Sequence, residues 1–350
     1  MPYGSGLSAQ VGVKAETTVG TAVTVDRFYE FLDESLAHST TWLEGQGLKA
    51  GQAFKRASRV APSRFTVGGD LTVEHADKGG MGLLWKHALG SVITVPTQIG
   101  ATTAWKQNHH AGATSLKTGL GLTVQVGRPQ PDATVRAFTY RGMKVLGWEF
   151  SCSDAELAKL KLTLDGWDES VATGLATASY TAGAGLFSFA DAAVFKIGGT
   201  ATTTGGETTV AGGTQLTTLA KGITVTGQTP LATERYGLGN AGIKKEQAEN
   251  AIPVVTISLD AEFTSRTEIY DLYKANTTTA FELVFEHGLA GTAEPYELSF
   301  VWPATKIKQG SVNVSGPDVV PQKIDIEAYD DGTSNPVMQV RLVSTDVTLG

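Results

Sequence analysis

Residues 138–168 read FTYRGMKVLGWEFSCSDAELAKLKLTLDGWD, and residues 300–330 read FVWPATKIKQGSVNVSGPDVVPQKIDIEAYD. A shift of 162 residues, with no gap, lays one on the other. Phe138 falls on Phe300, Tyr140 on Trp302, Lys144 and Val145 on Lys306 and Ile307, and Phe150 and Cys152 on Val312 and Val314. Leu157, Leu162 and Leu164 fall on Val319, Ile324 and Ile326, and Trp167-Asp168 on Tyr329-Asp330. Size, polarity and register are kept together over thirty-one positions, so the chain is expected to contain one fold twice.

The same comparison extends towards the N-terminus. FTVGGDLTVEH, from Phe65, puts Phe65, Val67, Leu71 and Val73 on one side at period two, which predicts a half-buried strand. Residues 77–90 follow, with Met81, Leu84, Trp85 and Ala88 at helical spacing and Gly90 as a stop. A shift of 188 carries Leu71 to Leu259, Met81 to Ile269, Leu84 to Leu272 and Trp85 to Tyr273, and a shift of 159 carries Leu122 and Val124 to Phe281 and Leu283. The changes of offset fall between elements, where loops tolerate insertion. The expected cores of the two copies are Leu71, Leu84, Trp85, Phe150, Leu162 and Trp167 in one, and Leu259, Leu272, Tyr273, Val312, Ile324 and Tyr329 in the other.

The remaining segments divide as an arm at 1–27, copy one at 28–169, a Gly/Thr-rich connection with some strand character at 170–221, copy two at 222–341 and a tail at 342–350. Segment 42–62 is Gly-rich and basic, with too few apolar residues for a core, and reads as a long exposed hairpin or loop carrying Gly45, Gly47, Lys49, Lys55 and Arg56. Segment 236–250 holds the same place before copy two, with Gly237, Gly239, Lys244, Lys245 and Glu246, and predicts a second such hairpin. Residues 200–213 read as flexible loop tips.

Composition limits the function classes. Glycine supplies 41 of 350 residues, above an average of roughly 7%, and threonine is abundant, a balance that favours strands and turns. Net charge is −7, which argues against gripping nucleic acid through its phosphates. The one cysteine, Cys152, reads as a small buried apolar residue. The N-terminus does not read as a signal peptide, and no eighteen-residue apolar run suggests a membrane span.

Three motifs invite chemistry. Residues 237–242 spell G-x-G-x-x-G with Asp260 beyond, but the preceding LATERY is too polar for the buried strand of a dinucleotide fold and Pro253 crowds the following helix. His109-His110 lacks a helical partner or a Cys/Asp cluster and reads as an exposed loop. Asp165, Asp168 and Glu169, with Glu327, Asp330 and Asp331, sit at the ends of equivalent strands without calcium-loop spacing. No catalytic residue, cofactor site or metal site is expected.

The order of several short motifs resembles the tail tube proteins of long-tailed, siphovirus-type bacteriophages, in their larger two-part form. The motifs are LSAQVGVKAETTVGTAV at 7–23 with its E-T-T-x-G-T, FLDESL at 31–36, and Gly69-Asp70-Leu71 leading to the helix. They continue with FSFADAAVFKIGG at 187–199, ITVTGQTPLATERYGLG at 223–239, and IDIEAYDDG followed by PVMQVRLVSTD near the end. The resemblance implies a mainly β fold of two β-sandwich or partly closed barrel domains, each with one flanking helix and a long hairpin that joins neighbouring subunits into a β-lined ring. It further implies a virion tail built of stacked rings, as trimers with pseudo-sixfold symmetry or as hexamers. Tape measure, baseplate or distal-tail and terminator proteins would be partners, no membrane would be involved, and genomic DNA would pass without specific binding. The arm and tail would bind the next ring. A two-domain β-sandwich adhesin or receptor-binding module of a virion is the alternative, although adhesion normally needs exposed aromatic clusters or calcium ligands.

Overall fold

The computed structural model describes residues 4–90, 95–112, 116–314 and 316–349. Its longest strand is Val135–Ser153, whose two halves pair into two different sheets. The N-terminal half pairs with Leu122–Pro129, setting Val124 opposite Tyr140 and Val126 opposite Phe138. The C-terminal half pairs with Lys159–Gly166, setting Leu162 opposite Trp148 and Leu160 opposite Phe150. Gly142 lies between the two halves at φ 61°, and a Cβ there would stand 2.6 Å from the Trp167 ring, so any side chain would be both strained and obstructed. Alternation along these strands sends apolar side chains from both sheets into one core, the arrangement of a β-sandwich.

Strand pairing repeats along the chain in matching register. Lys159, Lys161 and Leu162 face Glu74, Thr72 and Leu71, while Pro321, Lys323 and Ile324 face Glu262, Asp260 and Leu259. These are the pairs that the shifts of 162 and 188 connect. The irregularities repeat too. The ladder skips one residue where Thr163 and Leu164 face Gly147 and Val145, and again where Asp325 and Ile326 face Gln309 and Ile307. One alignment is corrected: Phe281 faces Trp302 and Leu283 faces Phe300, so the partners of Tyr140 and Phe138 shift by 157 residues and not 159. A displacement of two keeps every side chain on its face, which is why the apolar pattern did not reveal it.

The segment read as an arm contributes a strand. Gln10–Ala15 pairs with Leu122–Pro129, Val11 facing Val126 and Val13 facing Val124, and both valines are buried. Ala192–Ile197, within the segment read as a connection, pairs with Thr279–His287 in the corresponding manner, Phe195 facing Leu283 and Ile197 facing Phe281. Residues 200–213 are not loose tips, because Thr200–Thr204 pairs with Glu207–Ala211 and Thr208 is fully buried with its N–H on Gln339 Oε1 at 2.7 Å.

The helix runs Met81–Leu89, shorter at its start than the pattern predicted, because Gly79 and Gly80 take positive φ and hold residues 77–80 in a turn. Asp346 caps this end, accepting from Gly79 N–H at 3.0 Å and Gly80 N–H at 2.9 Å, where a carboxylate also meets the positive end of the helix dipole. The C-terminal segment is thereby fastened to the body, and Met338–Ser344 pairs with both Tyr296–Gln309 and Trp105–Ala111. The latter strand contains His109, fully buried rather than in an exposed loop. The second helix is smaller: a π turn at Arg266–Tyr270 runs into Asp271–Ala275, with Ile269 buried, Leu272 half-buried and Tyr273 37% exposed.

The halves are joined by continuous pairing. Ala220–Gln228 lies between Val135–Ser153 and Val254–Glu262. Trp85 packs edge-on to Trp148 at 5.3 Å and Phe300 at 5.7 Å, and Phe150 meets Phe300 at 4.6 Å. Aromatic side chains of this size each remove about 150–250 Å² from water, several kcal/mol of burial apiece, so the seam is part of the core.

Candidate assembly surface

The hairpin that contains segment 42–62 is built from Ala37–Glu44 and Val60–Glu74. Pairing runs from Ala37–Gly68 to Glu44–Val60, with one register shift where Thr41 and Trp42 face Arg64 and Pro62. Gly45 N–H closes the ladder on Arg59 O at 2.9 Å. Gly45, Gly47, Lys49 and Lys55 are exposed near the tip, and Arg56 is half-buried. Lys55 is ion-paired with Glu44. The hairpin also displays large apolar side chains: Trp42 is 60%, Leu48 102% and Phe54 89% exposed. Bare apolar groups beside a strand edge are characteristic of surfaces that another chain covers.

Segment 236–250 follows a different path. After Gln228 the chain forms a short ribbon, Leu231–Ala232 against Ala248–Glu249, and folds down on the first half. Gly237 and Gly239 stay exposed around Leu238, and Lys245 is exposed. Lys244 is fully buried, its Nζ 2.5 Å from Asp165 Oδ1, and Gln247 Nε2 donates to Asp165 Oδ2 at 2.7 Å. Glu246 Oε1 accepts from buried Lys144 Nζ at 2.6 Å, and the same ammonium donates to Gln247 O and Lys117 O. Tyr236 Oη donates to Phe65 O at 2.7 Å, and Phe65 N–H to Gly242 O at 2.9 Å, stitching the ribbon to the base of the hairpin. The structure therefore brings Lys244 and Glu246 together with Asp165 and Lys144, and leaves Gly45, Gly47 and Lys49 apart from them at the free tip.

The charges in this node answer to their surroundings. Burial pushes the Asp165 carboxyl up, partly offset by hydrogen bonds from Lys244 and Gln247. Burial also raises Glu246, but hydrogen bonds from Lys144 and the Gly119 N–H outweigh it and hold the carboxyl below its ordinary range. Lys117, buried with Nζ on Val145 O at 2.6 Å, is pulled down to about 7 by burial and by the Lys144 charge. Buried ion pairs contribute little net stability, yet removing one partner is costly, so such a node fixes where the ribbon sits more than how strongly the chain folds. Sequence reasoning overlooked Lys117 and Gln247 and read Lys144 only as the match of Lys306; the partners of all three lie far along the chain. The strand-end position of Asp165 was the one available signal.

Of the residues expected in the two cores, Leu71, Leu84, Trp85, Phe150, Leu162, Leu259 and Ile324 are fully buried. Trp167, Leu272, Val312 and Tyr329 are half-buried, and Tyr273 is exposed. The glycine motif at 237–242 is followed by no helix, so it offers phosphate no helix N-terminus. Among the described residues, no three His, Cys, Asp or Glu side chains converge as metal ligands. A family model described as the phage tail tube protein matches residues 6–328. No curated protein matches the chain.

Proposed function

The chain belongs to the phage tail tube protein family, and from that membership we propose that it is a structural, non-catalytic subunit of a virion tail that polymerises as stacked rings around a hollow lumen. The match over nearly the whole chain carries this reading. Genomic DNA passes through the lumen without specific binding, in keeping with a net charge of −7 and with the retardation that a sustained grip on phosphates would cause. Tape measure, baseplate or distal-tail and terminator proteins start, size and stop the polymer, which assembles in the host cytoplasm.

The two halves are copies of one tube domain. Support comes from the matched pairs Leu71–Leu162 and Leu259–Ile324 and from the shared skips in the ladder. Copy one then begins at the strand Gln10–Ala15 and copy two at Ala192–Ile197, earlier than composition suggested. Three chains would supply six tube domains, which favours a trimeric ring with pseudo-sixfold symmetry over a ring of six chains. The exposed hairpin tip, with Gly45, Gly47, Lys49 and Lys55, reaches a neighbouring subunit, while the 236–250 ribbon makes the corresponding contact inside the chain.

Negative-stain electron microscopy of the concentrated protein tests this reading. Hollow rings or tubes of uniform diameter, with threefold or pseudo-sixfold end-on averages, are expected. Compact particles that never stack and bind host surface glycans would overturn it.

A further inference from the structure

The two halves differ in what covers them. Residues 147–153 lie against Ala220–Gln228, Gly147 facing Gln228, Glu149 facing Thr226, Phe150 facing Val225 and Cys152 facing Ile223. Phe150, packed against Trp85, Phe285 and Phe300, is 0% exposed and Cys152 1%. Their counterparts Val312 and Val314 lie beyond the end of Tyr296–Gln309 and pair with no strand among the described residues; Val314 is 75% exposed. Trp85 is sealed by Trp148 and Phe300, whereas its counterpart Tyr273 is open. Among the described residues, the opposite end of the chain lacks a strand partner in the complementary way, with only the backbone groups of Leu36 held by the Glu34, Arg128 and Tyr140 side chains. Ala220–Gln228 is flanked by strands on both sides, but Phe31–Glu34 and Ala37–Glu44, which hold its place against Val60–Glu74, have a partner on one side only among the described residues.

Resting on the tube reading and the internal repeat, we propose that a second copy of this chain fills both gaps: residues 33–39 of one copy add as a strand to residues 309–314 of the next, in the register of the internal junction. Ser39 then faces Gln309, Ala37 faces Ser311, Leu36 faces Val312 and Glu34 faces Val314. Tyr273 of the copy that supplies residues 309–314 is covered by Phe138 of the copy that supplies residues 33–39, the counterpart of the Phe300 that covers Trp85. The contact is head-to-tail, so it closes into a ring when the rotation per chain divides a full turn. Strand addition supplies backbone hydrogen bonds along the edge, and Val314 supplies apolar area that the isolated chain leaves in water.

Paired cysteines test the register. Facing residues on antiparallel strands have Cα atoms about 4.5–5.5 Å apart, within disulfide reach, and a diagonal neighbour two residues away lies about 7–8 Å off, outside it. Under a mild oxidant, assembled protein carrying Ala37→Cys with Ser311→Cys should lose its monomer band to covalent multimers, and Ser39→Cys with Ser311→Cys should not. Rings visible by microscopy without the first cross-link, or with the second in preference, overturn the register and leave the tube reading standing. Monomers that assemble at no concentration overturn both. Val314→Asp, at a side chain exposed in the single chain, should keep the melting temperature and abolish assembly; rings formed by this variant at wild-type concentrations overturn the proposal.

Discussion

Arg128 grips Glu34 with both arms of its guanidinium, Nε to Oε1 at 3.0 Å and Nη2 to Oε2 at 2.9 Å, and the same Nη2 donates to the carbonyl of Leu36 at 2.5 Å. Glu34 Oε2 also accepts from the Leu36 N–H at 3.0 Å, and Tyr140 Oη donates to the Leu36 carbonyl at 3.1 Å. Both backbone groups of Leu36 are therefore occupied by side chains at the point where Phe31–Glu34 gives way to Ala37–Glu44. In the second half, Val225 holds the equivalent place and faces a strand. A planar, bidentate ion pair is well suited to keep an edge from pairing with the wrong chain.

Loosening that clamp should ease strand addition. Arg128→Ala is expected to shorten the lag before assembly, followed by light scattering, and to lower the concentration at which rings appear. An unchanged or longer lag in a folded variant would show that the clamp supports the assembled state and does not guard its edge.

Trp85 and Tyr273, which the shift of 188 residues connects, lie in unlike surroundings, one sealed and the other 37% exposed. Trp85→Ala should cost about 3–5 kcal/mol by urea denaturation, the usual range for an aromatic deleted from a packed core. Tyr273→Ala should cost about 1 kcal/mol or less in the single chain, as for most partly exposed substitutions, and weaken assembly instead. Equal losses of chain stability in the two variants would refute the assignment of Tyr273 to an intersubunit seam.

Much of the strand order was legible because burial imposes period two on Leu162–Leu164 and on Ile324–Ile326, and a pattern of that kind survives a shift of register by two. The same tolerance concealed the 157-residue offset of Thr279–His287. Val11 and Val13 looked like part of a loose arm because the run around them is polar; their burial depends on Val124 and Val126, over a hundred residues away. Segments 42–62 and 236–250 share composition, and nothing local tells Lys55 beside Glu44 from Lys244 against Asp165. Burial of a charge is decided by distant partners, which is where sequence pattern carries least information.

Lys117 links the ribbon node to pH. Its ammonium is depressed to about 7 in the folded chain, against an ordinary value near 10.4 in the unfolded one. Between those values the unfolded state binds the extra proton, so this residue makes stability rise with pH, and below about 7 its full penalty applies. Wild-type protein should gain about 2–3 kcal/mol relative to Lys117→Met between pH 7.5 and 9.5, at about 1.4 kcal/mol per unit. Cys152, raised to about 11 by burial, acts in the opposite direction in both proteins and cancels from the difference. A difference independent of pH would mean that Lys117 stays charged where it is buried.

Three buried histidines set the response to acid. Burial holds His75 and His109 down to about 3 and His87 to about 4, while half-buried His110 shifts in the same direction. His75 accepts from the Trp85 indole N–H at 2.8 Å, a bond that requires its Nε2 unprotonated. As pH falls below about 6.5, the unfolded chain takes up protons that these side chains refuse in the folded state, so stability is lost on the acid side. Towards pH 5 the three together should remove up to about 4 kcal/mol per unit. Asp77 and Asp165, raised by burial, oppose this only as pH approaches the carboxylate range. Urea unfolding at pH 7, 6 and 5 should show the decline, and His109→Gln should remove about a third of its slope. A flat profile would mean that the folded chain protonates these rings and that the seam around Trp85 opens to admit the charge.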